Sequence, residues 1–281
     1  MNPGLSRFAS QLQQSSSQAH RFIKKLRYKE TDHLRFILVH DAERNKNNSD
    51  TSTDSKYAMT LYKPLRLIEK SVAQIRLNND KRQSIHVLSQ NAKGYAIFMG
   101  INQGGLKNSE INDIRAQFID VDFNKISERF PTQALARQRL KAIQSDPAEQ
   151  IQAFSITKHA SGQFQLLVQR TESRIRKLKK AFIAKHWPLI KDTMIVETYS
   201  GFHIYWVIRN GAVSKFVPIQ NALVNKFHSD PMITNLARVM RMPGFYHMKN
   251  PNRPFLVRVV HWGRKQSFTQ NELIRALQLK P

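Results

Sequence analysis

The chain has 281 residues, 41% of them apolar, enough for one large domain or two small ones and too apolar to be disordered throughout. Lys and Arg number 45 against 20 acids, a net charge of +25 that excludes an ordinary enzyme of small neutral substrates and points to a polyanion, nucleic acid ahead of an anionic membrane. Without cysteine there are no disulfides or thiolate metal sites, which suits the cytoplasm, and no apolar run approaches the length that spans a bilayer.

Residues 1–29 hold no acid and no apolar core of a secretory signal; they predict a flexible basic arm leading into a short helix that buries Phe22, Ile23 and Leu26. His33 to His40 reads as the first strand. Residues 42–56 are polar throughout and read as a loop or mobile excursion. Leu65, Ile68, Val72 and Ile75 recur at helical spacing and predict a helix over Pro64 to Asn78. Ile85 to Leu88 and Tyr95 to Met99 read as short strands, and Asn102 to Gly105 as a turn.

Ala116 to Phe123 (AQFIDVDF) reads as a buried strand whose apolar run is interrupted twice. Side chains alternate along a strand, so Asp120 and Asp122 share a face while Ile119, Val121 and Phe123 take the other. Two neighbouring carboxylates among apolar residues repel each other and lose hydration. Divalent cations held by oxygen ligands would offset that cost. The plainer alternative is a strand end whose acids face solvent or pair with an Arg.

Thr132 to Gln144 predicts a helix closed by Asp146-Pro147. Residues 148–170 are ambiguous, with Phe164 to Val168 a candidate strand. Glu172 to Trp187 is amphipathic, with Ile175, Leu178 and Phe182 as its apolar stripe and Arg174, Arg176, Lys177, Lys179, Lys180 and Lys185 on its other faces. Most charge runs are solvated helix surfaces, but this one lacks alternating acids, which favours a surface that follows phosphates. Met194 to Thr198 and His203 to Ile208 read as a hairpin. Helices are expected over Val217 to Phe227 and, with Thr234 as N-cap, over Asn235 to Met242, stopped by Pro243-Gly244. Phe255 to Val260 reads as a closing strand and Gln270 to Leu279 as a terminal helix.

Singly, His203 reads as a core histidine, Ser200-Gly201 as a turn, and Arg238 and Arg241 as partners of surface acids. Taken in order, three segments resemble the motifs of the archaeo-eukaryotic primase superfamily, most closely the primase-polymerases of plasmids, phages and other mobile elements. They are Asp120 with Asp122, Ser200 with His203, and Asp230 followed by Arg238, Arg241, Pro243, Gly244 and Lys249. The stretch RVMRMPGFYHMK is the most specific part, and the resemblance covers about residues 85–260.

The resemblance implies an α/β fold: a catalytic core with a recognition-motif-like mixed sheet, a smaller α/β lobe, a helical insertion and terminal helices. It divides the chain into a basic arm and helix over 1–30, a catalytic domain over 31–265 with a basic helical insertion at about 124–192, and a C-terminal helix over 266–281. It implies a DNA primase that joins nucleotides on single-stranded DNA by two-metal nucleotidyl transfer. Asp120, Asp122 and Asp230 would hold two Mg²⁺ or Mn²⁺ ions, with the neighbourhood of Asn235 as the alternative source of the third ligand. Ser200, His203, Arg238, Arg241 and Lys249 would contact the nucleotide, and Arg174, Arg176, Lys177 and Lys180 the nucleic acid. Nucleoside triphosphates, a single-stranded template and a separate replicative helicase are the implied partners. Phe202, Tyr205, Trp206, Phe245 and Tyr246 are candidates for base stacking but suit a core better, and Glu197 is a candidate support residue. A relaxase would need a second His on the strand of His203, and a binding protein without chemistry leaves the paired acids unexplained.

Overall fold

The structure is a computed structural model that describes residues 17–41, 58–64, 76–78, 84–250 and 252–281. The arm expected over residues 1–16, the polar excursion of 42–56 and the middle of the helix expected over 64–78 lie outside these residues. In chain order the first elements are α1 (17–25), β1 (His33–His40), β2 (Ala58–Pro64), β3 (Arg76–Asn78), β4 (Ser84–His86), α2 (Val87–Ala92), β5 (Tyr95–Gly100), β6 (Gln103–Gly104) and β7 (Ile111–Asp122). The middle of the chain forms β8 (Lys125–Phe130), α3 (Gln133–Ser145), β9 (Ile151–Lys158), β10 (Phe164–Arg170) and α4 (Glu172–Ile190). The remainder forms β11 (Met194–Glu197), β12 (Gly201–Gly211), α5 (Phe216–Phe227), β13 (Val239–Arg241), β14 (Tyr246–His247), β15 (Phe255–Leu256), β16 (Arg258–His261) and α6 (Gln270–Leu277).

Two compact units result, one of residues up to Asp120 with Asp192–Tyr199 and His203–Pro281, the other of Val121–Lys191 with Ser200–Phe202. In the first unit β13, β5, β1 and β2 form an antiparallel sheet in that order. A second sheet has the order β16-β11-β12-β7-β6. The apolar face of α1 buries Phe22, Ile23 and Leu26 completely, and Phe22 meets Tyr205 edge-on at 5.5 Å. Phe118 of β7 sits 6.0 Å from Tyr205 and 5.9 Å from Phe216 of α5, so β7 runs through the core just before it reaches Asp120. α6 begins with a capping box between Thr269 and Glu272.

The second unit is a three-stranded antiparallel sheet, order β8-β10-β9, with α3 packed on it. Ala136, Leu140 and Ile143 of α3 meet Leu166 and Val168 of β10. Thr132 caps α3 as its sequence suggests, its hydroxyl accepting from the Leu135 N–H at 3.3 Å. Phe182 of α4 packs against Phe123 and Phe202.

Several elements depart from the sequence reading. Pro64 ends a strand and Arg76–Asn78 form another, so both ends of the helix expected there are extended. The strand expected over Ile85 to Leu88 gives way to helix at Val87. Half of the expected turn at 102–105 pairs as β6 with β7. The closing strand is broken at Val257, which bonds Phe245 and Gly244 through its backbone. β8 and β9 are edge strands of a small sheet and carry no continuous apolar run, so neither stood out.

The largest correction concerns Asn235 to Met242. Thr234 caps no helix; it ends a 3-10 helix, Pro231–Thr234, that Asp230 caps. Val239–Arg241 then pair antiparallel with the edge of β5, Met240 opposite Met99. Met240 and Met242 are both buried, two residues apart, which is the period of a strand. Arg238 and Arg241 therefore do not lie three apart on a helical face.

Candidate active site

β7 delivers Asp120 at the margin of the core. Its neighbours Phe118, Ile119 and Val121 are buried, and its own side chain is 25% exposed. Gln220 of α5, fully buried, fixes this approach: its Oε1 accepts from the Phe118 N–H at 3.0 Å and its Nε2 donates to the Phe118 carbonyl at 2.8 Å. The same Nε2 donates to the Ile233 carbonyl at 3.2 Å, which ties β7 to the turn after Asp230. The Asp230 N–H in turn donates to the Asp120 carbonyl at 3.0 Å. Residues 110 positions apart thus meet backbone to backbone. The Asp230 carboxylate accepts from the Met232 N–H at 2.9 Å and pairs with the Arg238 guanidinium at 3.3 Å.

His203 enters from β12. Its Nε2 lies 3.7 Å from Asp120 Oδ1, and its Nδ1 lies 3.3 Å from the Tyr205 hydroxyl. Burial, then the charges of Arg241 and Arg238, push its pKa down to about 3, so the ring is neutral near pH 7. Burial, then the charge of Asp120, holds the Tyr205 phenol well above its ordinary value and keeps it protonated. In the tautomer that carries its proton on Nε2, toward Asp120, Nδ1 accepts from the Tyr205 hydroxyl.

Arg241 leaves β13 toward Asp41, the residue just beyond β1. Its two terminal nitrogens donate to Asp41 at 3.1 and 2.5 Å, and its guanidinium lies 4.9 Å over the Phe98 ring. Asp41 also accepts from the Met248 N–H at 2.9 Å, and its side chain is 4% exposed. Beside this pair the pKa of His247 is pushed down to about 4 by burial first and then by Arg241, against the opposing charge of Asp41. Lys249 is exposed. Asp41 and Gln220 carry no local sequence signal; only their distant partners mark them.

The first unit therefore brings together Asp120, His203, Asp230, Arg238 and Arg241. Among the described residues, no three of His, Cys, Asp and Glu are grouped as a metal cage. Asp122 and Ser200 belong to the second unit. Asp122, at the exposed end of β7, accepts from the Asn124 N–H at 2.7 Å, and the Ser200 carbonyl accepts from the Phe123 N–H at 2.9 Å. Gly201 follows because the backbone of β12 presses on Val121: an added Cβ would sit 1.6 Å from its carbonyl oxygen. Arg176, Lys177 and Lys180 are exposed, whereas Arg174 pairs with Glu149 at 3.0 Å and is 17% exposed. Glu197 pairs with Arg258 at 2.9 Å. The five aromatic residues considered for stacking are all buried, as core residues are. No helix among the described residues is long and apolar enough to cross a membrane.

Residues 146–280 match the RepB DNA-primase N-terminal domain. The fold is similar to that of the primase-polymerase domain of cyanophage S-2L, with a TM-score of 0.51 and 14% identity over 93% of this chain and 97% of that one. Primase RepB′ is also similar, at a TM-score of 0.44 and 11% identity over 94% of this chain and 62% of that one. Its catalytic domain in complex with initiator DNA gives the same TM-score and identity over 94% of both chains. No curated protein sequence matches the chain. The match over 146–280 takes in the hairpin with His203, the Asp230 turn and the arginine strand, and the paired-acid strand precedes it. Over residues 146–280 the chain is thus similar to the RepB DNA-primase N-terminal domain, and its mixed α/β fold is that of the cyanophage primase-polymerase domain.

Proposed function

We propose that the chain makes short primers on single-stranded DNA by nucleotidyl transfer, and that Asp120, His203, Asp230, Arg238 and Arg241 are the heart of the site. The observation that carries this reading is the backbone bond between Asp230 and Asp120 with His203 and both arginines around it. Anionic and cationic groups interleaved at a half-open margin suit a substrate that is itself a polyanion accompanied by cations.

The donors are carboxylate oxygens, the hard ligands that Mg²⁺ and Mn²⁺ prefer, and Asp120 is open enough for a cation to reach. Asp120 and Asp230, with Asp122 two residues on in the same strand, would hold two such ions. When bound, these ions supply a lowered pKa for the attacking 3′-hydroxyl and neutralise charge on the triphosphate. The chain's own side chains do the rest. His203, neutral and carrying its proton on Nε2, donates to a phosphate oxygen without adding charge. Arg238, 28% exposed and paired with Asp230 through one terminal nitrogen, offers the rest of its guanidinium to an incoming phosphate. Arg241, with both terminal nitrogens on Asp41, acts mainly as a fixed positive charge. Ser200 and Lys249 would add contacts to the nucleotide. The work would be cytoplasmic, and duplex opening would fall to a separate helicase.

The test is synthesis: single-stranded DNA, labelled nucleotides and Mg²⁺ or Mn²⁺, for the parent, Asp120→Asn and Asp230→Asn. Short products from the parent and a loss of 100-fold or more, on the order expected for a lost charge-stabilising group, are predicted for Asp120→Asn. Undiminished products from Asp120→Asn would overturn the site, and DNA binding without products in either metal would favour a non-catalytic binder.

A further inference from the structure

Over residues 121–191 the second unit carries fourteen Lys and Arg against five acids. Most of these cations have structural work or are scattered: Arg170 and Arg174 hold Glu149, Arg139 holds Glu128, and Lys179 is buried with its ammonium 5.2 Å over the Phe202 ring. α4 is different. Its inward face is set by Ile175, Lys179, Phe182 and Ile190, all buried. At 3.6 residues per turn the opposite face holds Ser173, Arg176, Lys177, Lys180, Ala184 and Trp187, every one exposed. This stripe contains no acid, although Glu172 stands at the start of the same helix. Its far end is an indole that is 41% exposed.

A stripe of like charges costs helix stability, and an exposed tryptophan gives up the burial that a core position would provide. Both become useful against one class of ligand. A single strand of nucleic acid offers phosphates at the spacing of side chains and unpaired bases whose faces stack on aromatic rings. From Lys177 to Trp187 the helix rises about 15 Å, which spans roughly two or three nucleotides of an extended strand. Duplex DNA offers the same phosphates but no free base faces. Small residues at 173 and 184 leave the strand room to lie against the helix.

We infer that the outward face of α4 is a template track, in which Arg176, Lys177 and Lys180 hold phosphates and Trp187 stacks on a base of single-stranded DNA. This rests on the reading of the chain as a primase on single-stranded template, but its readout is binding and not synthesis. A chain that fails to make products and still binds as described would sink the catalytic reading alone. A chain that makes products while its binding ignores Trp187 would sink the track alone.

The experiment measures binding of oligo(dT) to the full chain by intrinsic fluorescence across a salt series. Trp206 is buried and Trp187 is 41% exposed, so Trp187→Phe isolates the exposed indole's share of any quench. Oligo(dT) should quench the parent, and Trp187→Phe should abolish most of that quench while keeping affinity within a few fold. Trp187→Ala should weaken binding, followed by anisotropy of a labelled oligonucleotide, by about 5- to 150-fold, the range of one lost base stack. Lys177→Gln with Lys180→Gln should lower the salt slope by about 1.4, two phosphates' worth for a single strand. These positions are exposed, so the variants should melt like the parent. Unchanged affinity in Trp187→Ala, an unchanged slope in the lysine variant, or equal dependence on Trp187 for duplex DNA would overturn the proposal. Partition of the chain onto phosphatidylserine vesicles through Trp187, with oligo(dT) indifferent to it, would overturn it as well.

Discussion

Replacing His203 by Gln should change how the protein responds to acid. The imidazole is enclosed by β12 and faces Asp120 on β7, the Tyr205 hydroxyl, and the charges of Arg238 and Arg241. Burial and the two guanidinium groups lower its folded-state pKa to about 3 from an ordinary value of 6.5. The unfolded chain therefore takes up the proton more readily than the folded one. The stability this histidine contributes as a neutral ring is complete above about pH 6.5 and is lost progressively as pH falls toward 3. At pH 4.5 the unfolded chain is favoured by two pH intervals of protonation, about 3 kcal/mol relative to pH 7. His247, lowered to about 4, adds about 2.5 kcal/mol in the same window. Urea unfolding at pH 7 and pH 4.5 measures the difference. His203→Gln should lose about 3 kcal/mol less than the parent between the two pH values, and His203→Gln with His247→Gln about 5 kcal/mol less. A single variant with the parent's full acid loss would refute the reasoning, because it would mean that the ring titrates alike in both states.

Asp41→Ala should cost about 3–5 kcal/mol, since it strands the Arg241 guanidinium and the Met248 N–H in a buried place. Adding Arg241→Met should recover part of that loss, and a single variant within about 1 kcal/mol of the parent by thermal unfolding would count against the pair. Gly201→Ala should destabilise at the upper end of the about 1–3 kcal/mol usual for overpacking, because its Cβ meets the Val121 carbonyl and not a side chain that could turn away. A melting temperature equal to the parent's would show that the two backbones can part.

Where a signal was local, the chain could be read directly. Alternation around Asp120 marked a strand with its acids on one side, and the apolar stripes of Phe22, Ile23 and Leu26 and of Ile175 and Phe182 marked buried helix faces. The run RVMRM reads as helix because Thr234 looks like an N-cap and Pro243-Gly244 like a stop, while Met240 and Met242 carry the two-residue period of a strand. Nothing near Val239 says that β5 has an open edge beside it, and that edge decides the matter. Asp230 was picked out by the resemblance, but its meeting with Asp120 depends on Gln220, whose amide serves both segments from a helix between them. Asp41 was invisible for the same reason. A lone Asp after a strand looks like a turn residue, and its role depends on an arginine in another third of the chain.

That separation has a cost in time during synthesis. Arg241 and Met248 are 200 and 207 residues downstream of Asp41. At about 5–20 residues per second the ribosome needs roughly 10–40 s to deliver that cation after Asp41 has been made. Throughout that interval the sheet edge that will receive β13 stays open and the carboxylate must remain hydrated. The buried pair of Arg241 and Asp41 is therefore closed only when the final third of the polypeptide has emerged, and a ribosome that stops before it leaves Asp41 without the cation that the folded protein sets beside it.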